Sequence, residues 1–339
     1  MTDSTKNIAE TTKFNLENNV FSETLRYMKI SGSLLLNDAY SSPWAISIPD
    51  KKVLAESLEN KPNVHIAAFH LVQRGYIEIE LEEGNKALIK EGEMVICFKG
   101  ASHIIYQGSN KQEAHPFQKI MQGEPNIFKP TKDNYAQSTS LICGIFMLHD
   151  TLLNPLFEAL PPLLKTTVKV GNYYSSSITE NIIGLLLTEI DHPSFAHDYM
   201  IERYLELLCA KSIHSYIESA AEGETGWFQA ITDPKISRVI TAIHSQPAYA
   251  WSVKELAHLI SLSPSRFAAR FTEIMGVTPM IYVTRWRMYW ASKLLNETRL
   301  GLEQISTQVG YENVAAFSRA FKRNMDSSPG VWRISNCNL

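Results

Sequence analysis

Residues 263–282 read SPSRFAARFTEIMGVTPMIY, and fifty residues later 313–332 read NVAAFSRAFKRNMDSSPGVW. The two segments share a pair of Phe residues, a turn and a Pro, so one short unit occurs twice. An apolar i, i+3, i+4, i+7 stripe, the period of an amphipathic helix, precedes each segment. The stripes are Val253, Leu256, Ala257 and Ile260, and Leu302, Ile305, Ser306 and Val309. Each unit is predicted to be helix, tight turn, helix, a motif whose second helix enters the DNA major groove.

The second helix of the first unit is predicted to begin at Ser263, an N-cap residue, with Pro264 at the first helical position. Phe267 and Phe271 mark its buried face. At about 100° per residue, the remaining positions form an outward face that can approach DNA. These candidate DNA-binding residues are Ser265, Arg266, Ala268, Ala269, Arg270 and Thr272.

In the second unit, Phe317 and Phe321 mark the buried face. Its candidate DNA-binding residues are Asn313, Val314, Ala315, Ser318, Arg319, Lys322 and Arg323. The planar fork of Arg319 can pair with guanine O6 and N7, so Arg319 is the predicted base contact. Lys322 and Arg323 suit phosphates better. For any one cation the alternative is a solvated helix face, but together, on two repeated motifs, they favour DNA.

Residues 280–295, MIYVTRWRMYWASKLL, are too apolar and continuous for a flexible tether and are predicted to form one long helix. Such a helix fixes the separation of the two DNA-reading helices. A separation near one DNA turn, ~34 Å, would let both enter successive major grooves. Trp286 and Trp290 are predicted to be core residues, because duplex DNA offers no exposed base faces.

Charge is distributed unevenly along the 339 residues. Residues 236–339 hold 12 Lys and Arg against 6 Asp and Glu, a net +6, which leaves −9 for the rest of the chain's −3. The basic part indicates a polyanionic partner. Cys97, Cys143, Cys209 and Cys337 show no spacing typical of disulfide frameworks or zinc sites, and the polar N-terminus does not look like a signal peptide. These features predict a cytoplasmic protein with no membrane association.

The N-terminal half changes to short runs rich in β-branched and aromatic residues separated by turn signals, which predicts an antiparallel sandwich or small barrel. The predicted strands are 44–48, 66–72, 76–81, 94–98, 103–106 and 141–148, and a polar stretch of irregular structure is expected over 107–140. Helical periodicity returns over 179–220 and ends at a linker, 221–226. The predicted domains are a disordered arm 1–20, a β-domain 21–175, a helical linker or dimerisation region 176–226, and a helical domain 227–339.

Residues 236–334 resemble the DNA-binding domain of the AraC/XylS family of bacterial transcription regulators. The resemblance is carried by Gly276-Val277-Thr278-Pro279, Arg287-Met288 with Ala291, Val309-Gly310-Tyr311, 317–323 (FSRAFKR), and Ser328-Pro329 with Trp332-Arg333. The N-terminal half is similar to the cupin-type sensor domain of one branch, through 42–44 (SPW), 69–72 (FHLV), 92–95 (GEMV), 100–103 (GASH) and 160–163 (LPPL). The resemblance implies a cupin-like antiparallel β-barrel, a helical linker and an all-α domain with two helix-turn-helix motifs joined by a long helix, hence an α+β multidomain protein.

Three positions depart from the family pattern. Ala269 stands where a basic residue is frequent, Ser261 where Gly is frequent, and Asp326 where Gly usually ends the second DNA-reading helix. Asp visits the left-handed conformation more easily than most residues, so Asp326 is expected to serve as a helix cap.

The resemblance implies a transcription regulator, commonly an activator, whose partners are double-stranded promoter DNA, RNA polymerase, and either a small effector or a second copy. His70 and His103 occupy family-like positions in the sensor and are the candidate effector-binding residues. Cupin metals are held by a closely spaced His pair, a Glu and a distant His, and no H-x-H pair occurs here, so no metal is predicted. The sequence also shows no nucleophile–base pair, phosphate-binding glycine loop or paired carboxylates, so no cofactor or catalytic residue is predicted. The alternatives are a metal-dependent cupin enzyme with an accessory DNA-binding tail, and a structural DNA organiser.

Overall fold

A computed structural model describes residues 24–25, 28–57, 64–108, 111–123, 129–132, 135–149, 154–167, 178–220 and 226–336. The predicted disordered arm 1–20, most of the predicted linker 221–226, and Cys337 lie outside these residues. The chain divides into two compact units. The barrel unit comprises 29–149 and 160–218, and the helical unit comprises 1–28, 150–159 and 219–339.

The barrel unit contains two five-stranded sheets. One has the order β1-β9-β3-β6-β10 and is antiparallel throughout, with β1 Ile30–Tyr40, β9 Thr139–His149, β3 Val64–Arg74, β6 Glu93–Cys97 and β10 Leu163–Thr167. The other has the order β5-β4-β7-β2-β8, with β5 Lys86–Lys90, β4 Tyr76–Leu81, β7 His103–Gln107, β2 Trp44–Ile48 and β8 His115–Pro116. Within this second sheet only the β2–β8 pair is parallel. The β-rich half therefore has the antiparallel cupin-like form that the sequence predicted.

Side chains from both sheets pack into one core, and alternate residues of each strand face it. Trp44, Ile46, Ile77, Ile105 and Leu141 are among its members, and each is almost completely buried. All six predicted strands are present. The strands β1, β5, β8 and β10, which complete the two sheets, were not predicted from the sequence.

Among its described residues, the barrel unit has four α-helices beside the sheets, and the last of these continues to Ala220. They are α1 Lys51–Ser57, α2 Phe117–Met121, α4 Ile178–Asp191 and α5 His197–Ala220. The stretch expected to be irregular, 107–140, contains α2, whose Phe117 and Ile120 join the barrel core. That expectation was therefore wrong for α2, because two apolar side chains in five residues are too few to show a helical period.

The helical unit contains α3 Pro155–Ala159 and then a series of helices from Trp227 onward. These are α6 Trp227–Thr232, α7 Ile236–Ser245, α8 Val253–Leu259, α9 Pro264–Met275, α10 Pro279–Glu297, α11 Leu302–Gln308, α12 Val314–Met325 and α13 Pro329–Asn336. Phe317 and Phe321 pack with Met288 and Leu295 of α10 in the second repeat. The all-α domain with two helix-turn-helix motifs and one long helix is as the sequence predicted.

Among the described residues, no helix is both long enough and apolar enough to cross a membrane.

Candidate functional site

The first helix of each repeated unit is fixed at its N-terminus by a local cap. In the first unit, Ser252 Oγ accepts from the Glu255 amide at 3.2 Å and Glu255 Oε2 accepts from the Ser252 amide at 2.8 Å. This capping box satisfies two backbone donors that a helix start leaves unpaired. In the second unit, Gln304 Oε1 accepts from the Gly301 amide at 2.9 Å. The helices α8 and α11 therefore begin at defined residues.

Left-handed residues make the tight turn of each unit. Ser261 has φ 55° after α8, and Gly310 has φ 78° after α11. A Cβ at Gly310 would approach Ala248 O and Arg287 Nη2 to 2.7 Å, so the turn of the second unit requires glycine. The Ser at 261, a departure from the family pattern, thus occupies a strained conformation.

The second helices of the two repeats, α9 and α12, end in the same left-handed conformation. Gly276 has φ 70° after α9, and Asp326 has φ 53° after α12. The expectation that Asp326 can cap α12 in this conformation is confirmed. The two repeats therefore share their stop geometry although they use different residues.

On α9, the aromatic face is buried and the predicted outward face is accessible. Phe267 and Phe271 are completely buried, with ring centroids 5.6 Å apart. Of the candidate residues, Ser265, Arg266, Ala269 and Arg270 are exposed, and Ala268 and Thr272 are half-buried. Arg270 forms an ion pair with Asp233, which follows α6, so its guanidinium is already engaged within the helical unit. Arg266 is thus the cation of α9 better placed to reach a ligand.

On α12, the candidate residues form a basic surface. Ala315, Arg319, Lys322 and Arg323 are exposed, and Val314 and Ser318 are half-buried. Asn313 serves as the N-cap, since its Oδ1 accepts from the Ala316 amide at 2.8 Å. Its side chain therefore has a structural role at the helix start, where backbone amides also favour anions. The face combines a planar guanidinium donor with small neighbours that allow close approach to a groove.

The helix α10 connects the two helix-turn-helix repeats within the helical unit and is largely buried. Trp286 is 3% exposed, and its ring stacks on His244 with centroids 3.4 Å apart. Trp290 is partly buried and packs against the core of the second repeat, so the assignment of Trp286 and Trp290 to the core is supported. At a rise of ~1.5 Å per residue, the 19 residues of α10 span roughly 28 Å. One continuous helix therefore connects α9 of the first repeat to the second repeat.

Arg287 of α10 contacts both repeats, a role that the sequence did not reveal. Its Nε donates to Pro247 O at 2.8 Å and its Nη2 donates to Tyr249 O at 2.7 Å. Its guanidinium carbon lies 5.8 Å from the centroid of the Tyr311 ring, in the turn of the second repeat. The guanidinium thus joins the segment before α8 to the turn after α11.

In the barrel unit, the structure brings together the two predicted effector-binding residues, His70 and His103. Their Nε2 atoms are 2.9 Å apart, and the side chains are 1% and 3% exposed. Burial lowers the pKa of His103 to about 4, and burial together with His103 lowers the pKa of His70 well below its usual range. Both imidazoles are therefore neutral at physiological pH.

Hydrogen-bond partners fix the tautomers of this pair. His103 Nδ1 lies 3.0 Å from Ala101 O, and a carbonyl can only accept, so Nδ1 carries the proton and Nε2 has a lone pair. His70 Nε2 must then donate to His103, which leaves the His70 Nδ1 lone pair to accept from the Cys143 thiol at 3.0 Å. Cys143, His70 and His103 thus form a continuous relay through the core.

Sequence reasoning missed Cys97, which belongs to the same cluster. Its Sγ lies 3.8 Å from His103 Nε2, and one ligand atom each from His70, Cys97 and His103 lie within 4.8 Å of one another. The available signal was the alternation of side chains along β6, which points Val95 and Cys97 to the same face of the strand, toward the core. Cys97 also ends β6 only six residues before His103. Cys97 is not part of a closely spaced His pair, which is the usual sequence pattern of a cupin metal site.

A cavity of about 530 Å³ lies beside this cluster. Its lining includes His103, Ser102, Glu80 and Lys111. Glu80 accepts from Lys111 Nζ at 2.9 Å and pairs with Lys86 at 3.2 Å, and these lysines lower the pKa of its carboxyl. The volume falls in the range typical of small-molecule pockets. His103 therefore connects the buried cluster with a space that a ligand can enter.

Comparisons with known proteins cover both units. A family model described as Cupin matches residues 19–218, and one described as Helix-turn-helix domain matches residues 256–335. A putative AraC-like transcription regulator of Streptomyces antibioticus is 30% identical over 212 residues, 61% of this chain and 69% of that protein. One of the same description from Streptomyces lividans is 24% identical, over 79% of this chain and 86% of its own. The HTH-type transcriptional regulator AlkR of Acinetobacter baylyi is 25% identical, over 78% and 86% respectively.

Proposed function

Because the chain belongs to the AraC-like transcription regulators and carries a cupin domain, we propose that α9 and α12 bind promoter DNA and that the barrel unit controls this binding. As a member of this family, the protein is a sequence-specific DNA-binding transcription regulator. The observation that carries the proposal is the repeated helix-turn-helix unit on one continuous helix, with the exposed cations Arg266, Arg319 and Lys322 on the two DNA-reading helices.

The test is to incubate purified full-length protein with sheared genomic DNA of its own organism and to sequence the retained fragments. We expect enrichment of an asymmetric site with two boxes about one helical turn apart. Equal retention of promoter and random fragments at physiological salt would contradict this and indicate a structural DNA organiser.

We propose that a small effector enters the cavity beside His103, with His70 behind it. The support is the cavity volume of about 530 Å³ and its mixed lining of carboxylate, ammonium, hydroxyl and imidazole groups. A melting-temperature screen with small acids, sugars and fatty acids tests this proposal. Ligands should stabilise the wild-type protein and fail to stabilise Ser102→Trp, which fills the cavity. Equal shifts in both proteins would place the effector elsewhere.

We propose that the protein forms a homodimer through α4 and α5. The support is that both helices present apolar side chains to solvent: Leu185 of α4 is 52% exposed, and Tyr199 and Leu207 of α5 are 63% and 54% exposed. Sedimentation of the full chain should show a dimer that Leu207→Glu dissociates. Leu259→Glu in α8 is the matched control and should leave the dimer intact. A monomeric wild-type protein would contradict the proposal.

We propose activation through contact with RNA polymerase in the bacterial cytoplasm, and no catalytic activity. The support is the description of all three relatives as transcription regulators. In vitro transcription from an enriched promoter should rise when the protein is added to purified polymerase. A fall in transcript would identify a repressor. Turnover of a substrate by the barrel unit would favour the alternative of a cupin enzyme with a DNA-binding tail.

A further inference from the structure

The barrel core contains a group of nitrogen and sulfur atoms of the kind that binds metals. His70, Cys97 and His103 are each 3% exposed or less, and one ligand atom from each lies within 4.8 Å of the others. The surrounding side chains are apolar, including Val95, Ala68 and Ile105. Polar atoms in such a core are costly unless each has a strong partner. The partners of His70 and His103 are evident, whereas Cys97 Sγ has a weak contact at 3.8 Å.

The spacing of these atoms suits a tetrahedral ion. Zinc bonds of ~2.1 Å to nitrogen and ~2.3 Å to sulfur place two ligand atoms roughly 3.3–3.8 Å apart. The distances here are 2.9 Å between the two Nε2 atoms and 3.8 Å from Cys97 Sγ to His103 Nε2. These two distances lie within about 0.5 Å of the range for zinc, and the third pair of ligand atoms is no more than 4.8 Å apart, so the three side chains are already close to the spacing of a site.

The outer hydrogen bonds are those that metal-bound histidines need. A metal-bound imidazole usually donates its other N–H to a carbonyl or similar acceptor, which orients the ring. His103 Nδ1 donates to Ala101 O at 3.0 Å, so its Nε2 lone pair already points into the cluster. Cys143 Sγ is 3.0 Å from His70 Nδ1, on the side of the ring opposite Nε2. Cys143 therefore cannot bind the same ion as His70 Nε2, and its place is that of a positioning residue.

We propose that His70 Nε2, His103 Nε2 and Cys97 Sγ bind one Zn²⁺ ion, with Cys143 orienting His70. Thiolate and imidazole ligands together select zinc over magnesium, calcium or manganese. The fourth position is left to a solvent molecule or small ligand arriving from the cavity that His103 lines. Because His70 and Cys97 lie in one sheet and His103 in the other, the ion links the two sheets.

Proton movements on binding follow from the tautomers. In His70 the proton moves from Nε2 to Nδ1, where Cys143 Sγ accepts it as a hydrogen bond, so this residue stays neutral. Cys97 loses its thiol proton to solvent and becomes the thiolate ligand. One proton is therefore released for each ion bound. Burial raises the pKa of the Cys97 thiol, so without an ion this residue is protonated.

The test uses full-length protein expressed in zinc-supplemented medium, so that the ion is present while the barrel folds. After desalting, metal analysis should find about one zinc per chain. Protein produced with cobalt in place of zinc should show a thiolate-to-cobalt charge-transfer absorption. Wild-type protein with less than a tenth of this zinc, or with iron or manganese instead, would overturn the proposal whatever the variants do.

Three Cys variants distinguish ligand, positioning residue and bystander. Cys97→Ser should lose the charge-transfer absorption and bind zinc at least tenfold more weakly. Cys143→Ala should keep the absorption with an affinity reduced roughly 10–100-fold, as for other outer-sphere partners. Cys209→Ser, a buried thiol of α5, is the matched control and should behave as wild type. Retention of the absorption by Cys97→Ser, or its loss in Cys209→Ser, would overturn the assignment.

Discussion

Arg319 and Lys322 lie three residues apart on the exposed face of α12, and they differ in the chemistry that they offer a ligand. The Arg319 fork can pair with two acceptors of one guanine. For Arg319→Ala we expect a loss of about 1–3 kcal/mol at one base position and relaxed specificity there. Binding-site selection with the variant measures this. Unchanged preference at every position of the selected site would contradict the assignment.

Lys322 presents a point charge suited to phosphate. For Lys322→Ala we expect weaker binding to all sequences and a salt dependence whose logarithmic slope falls by about 1, because one fewer counterion is released. Titrations at several salt concentrations measure the slope. Lys52→Ala, at an exposed position of α1 in the barrel unit, is the control and should leave the slope unchanged. A loss confined to one sequence would argue for base contact instead.

The two left-handed cap positions can be tested by placing the cap residue of each repeat in the other. Asp326 caps α12 with φ 53° and Gly276 caps α9 with φ 70°. We expect Asp326→Gly to raise the free energy of unfolding by about 0.5–1 kcal/mol, since glycine adopts this conformation without a Cβ clash. Gly276→Asp should lower it by a similar amount, because a Cβ there meets no atom within 4 Å and only the backbone conformation matters. Urea unfolding measures both variants, and a loss of stability in Asp326→Gly would refute the argument.

At the scale of elements, Arg287 joins the two repeats through α10. Lysine cannot reach Pro247 O and Tyr249 O together while lying near the Tyr311 ring. We expect Arg287→Lys to lower the free energy of unfolding by about 1–3 kcal/mol and to weaken binding to a two-box site more than to either box alone.

The matched control for that change is Arg285→Lys on the same helix. The Arg285 side chain is 43% exposed, and its ion pair with Glu158 at 3.7 Å is of the weak surface kind. Thermal unfolding and gel-shift titrations compare the two variants. Equal effects would mean that the loss arises from α10 in general and that Arg287 has no special role.

The elements show which features local sequence determines. The helices α8, α9, α11 and α12 were predicted because period and caps lie within each segment. The strand β1 was missed because its residues alternate poorly between buried and half-buried, and its identity depends on pairing with β9, about a hundred residues away. Arg287 matched a family motif, but its carbonyl partners lie 38 and 40 residues earlier in the chain.

At the scale of the whole molecule, each unit buries a neutral histidine. His65 in the barrel unit lies 2.6 Å from Phe98 O, and burial, aided by Lys51, lowers its pKa to about 4. His244 in the helical unit lies 2.9 Å from Tyr282 Oη, and burial lowers its pKa to about 3. The unfolded chain takes up these protons near pH 6.5, so stability is full above that pH and falls as pH decreases toward the folded values.

The difference between the folded and unfolded pKa values of these histidines predicts that both units lose stability in acid. Between about pH 6 and 4 each such histidine should reduce the free energy of unfolding by about 1.4 kcal/mol per pH unit. His244→Leu should reduce the slope for the helical unit by that amount. Urea titrations at several pH values measure the slopes. Identical slopes for wild type and His244→Leu would contradict the assignment.

The continuous helix α10 has a consequence for the genes that this protein controls. If α9 and α12 both read DNA as proposed, at the separation that α10 sets, a regulated promoter can exchange single bases within either box and be bound more or less strongly. It cannot gain or lose a few base pairs between the boxes, because that turns the second box away from the protein. Promoters under its control should therefore diverge among related bacteria by substitution, while the interval between their boxes remains constant in length.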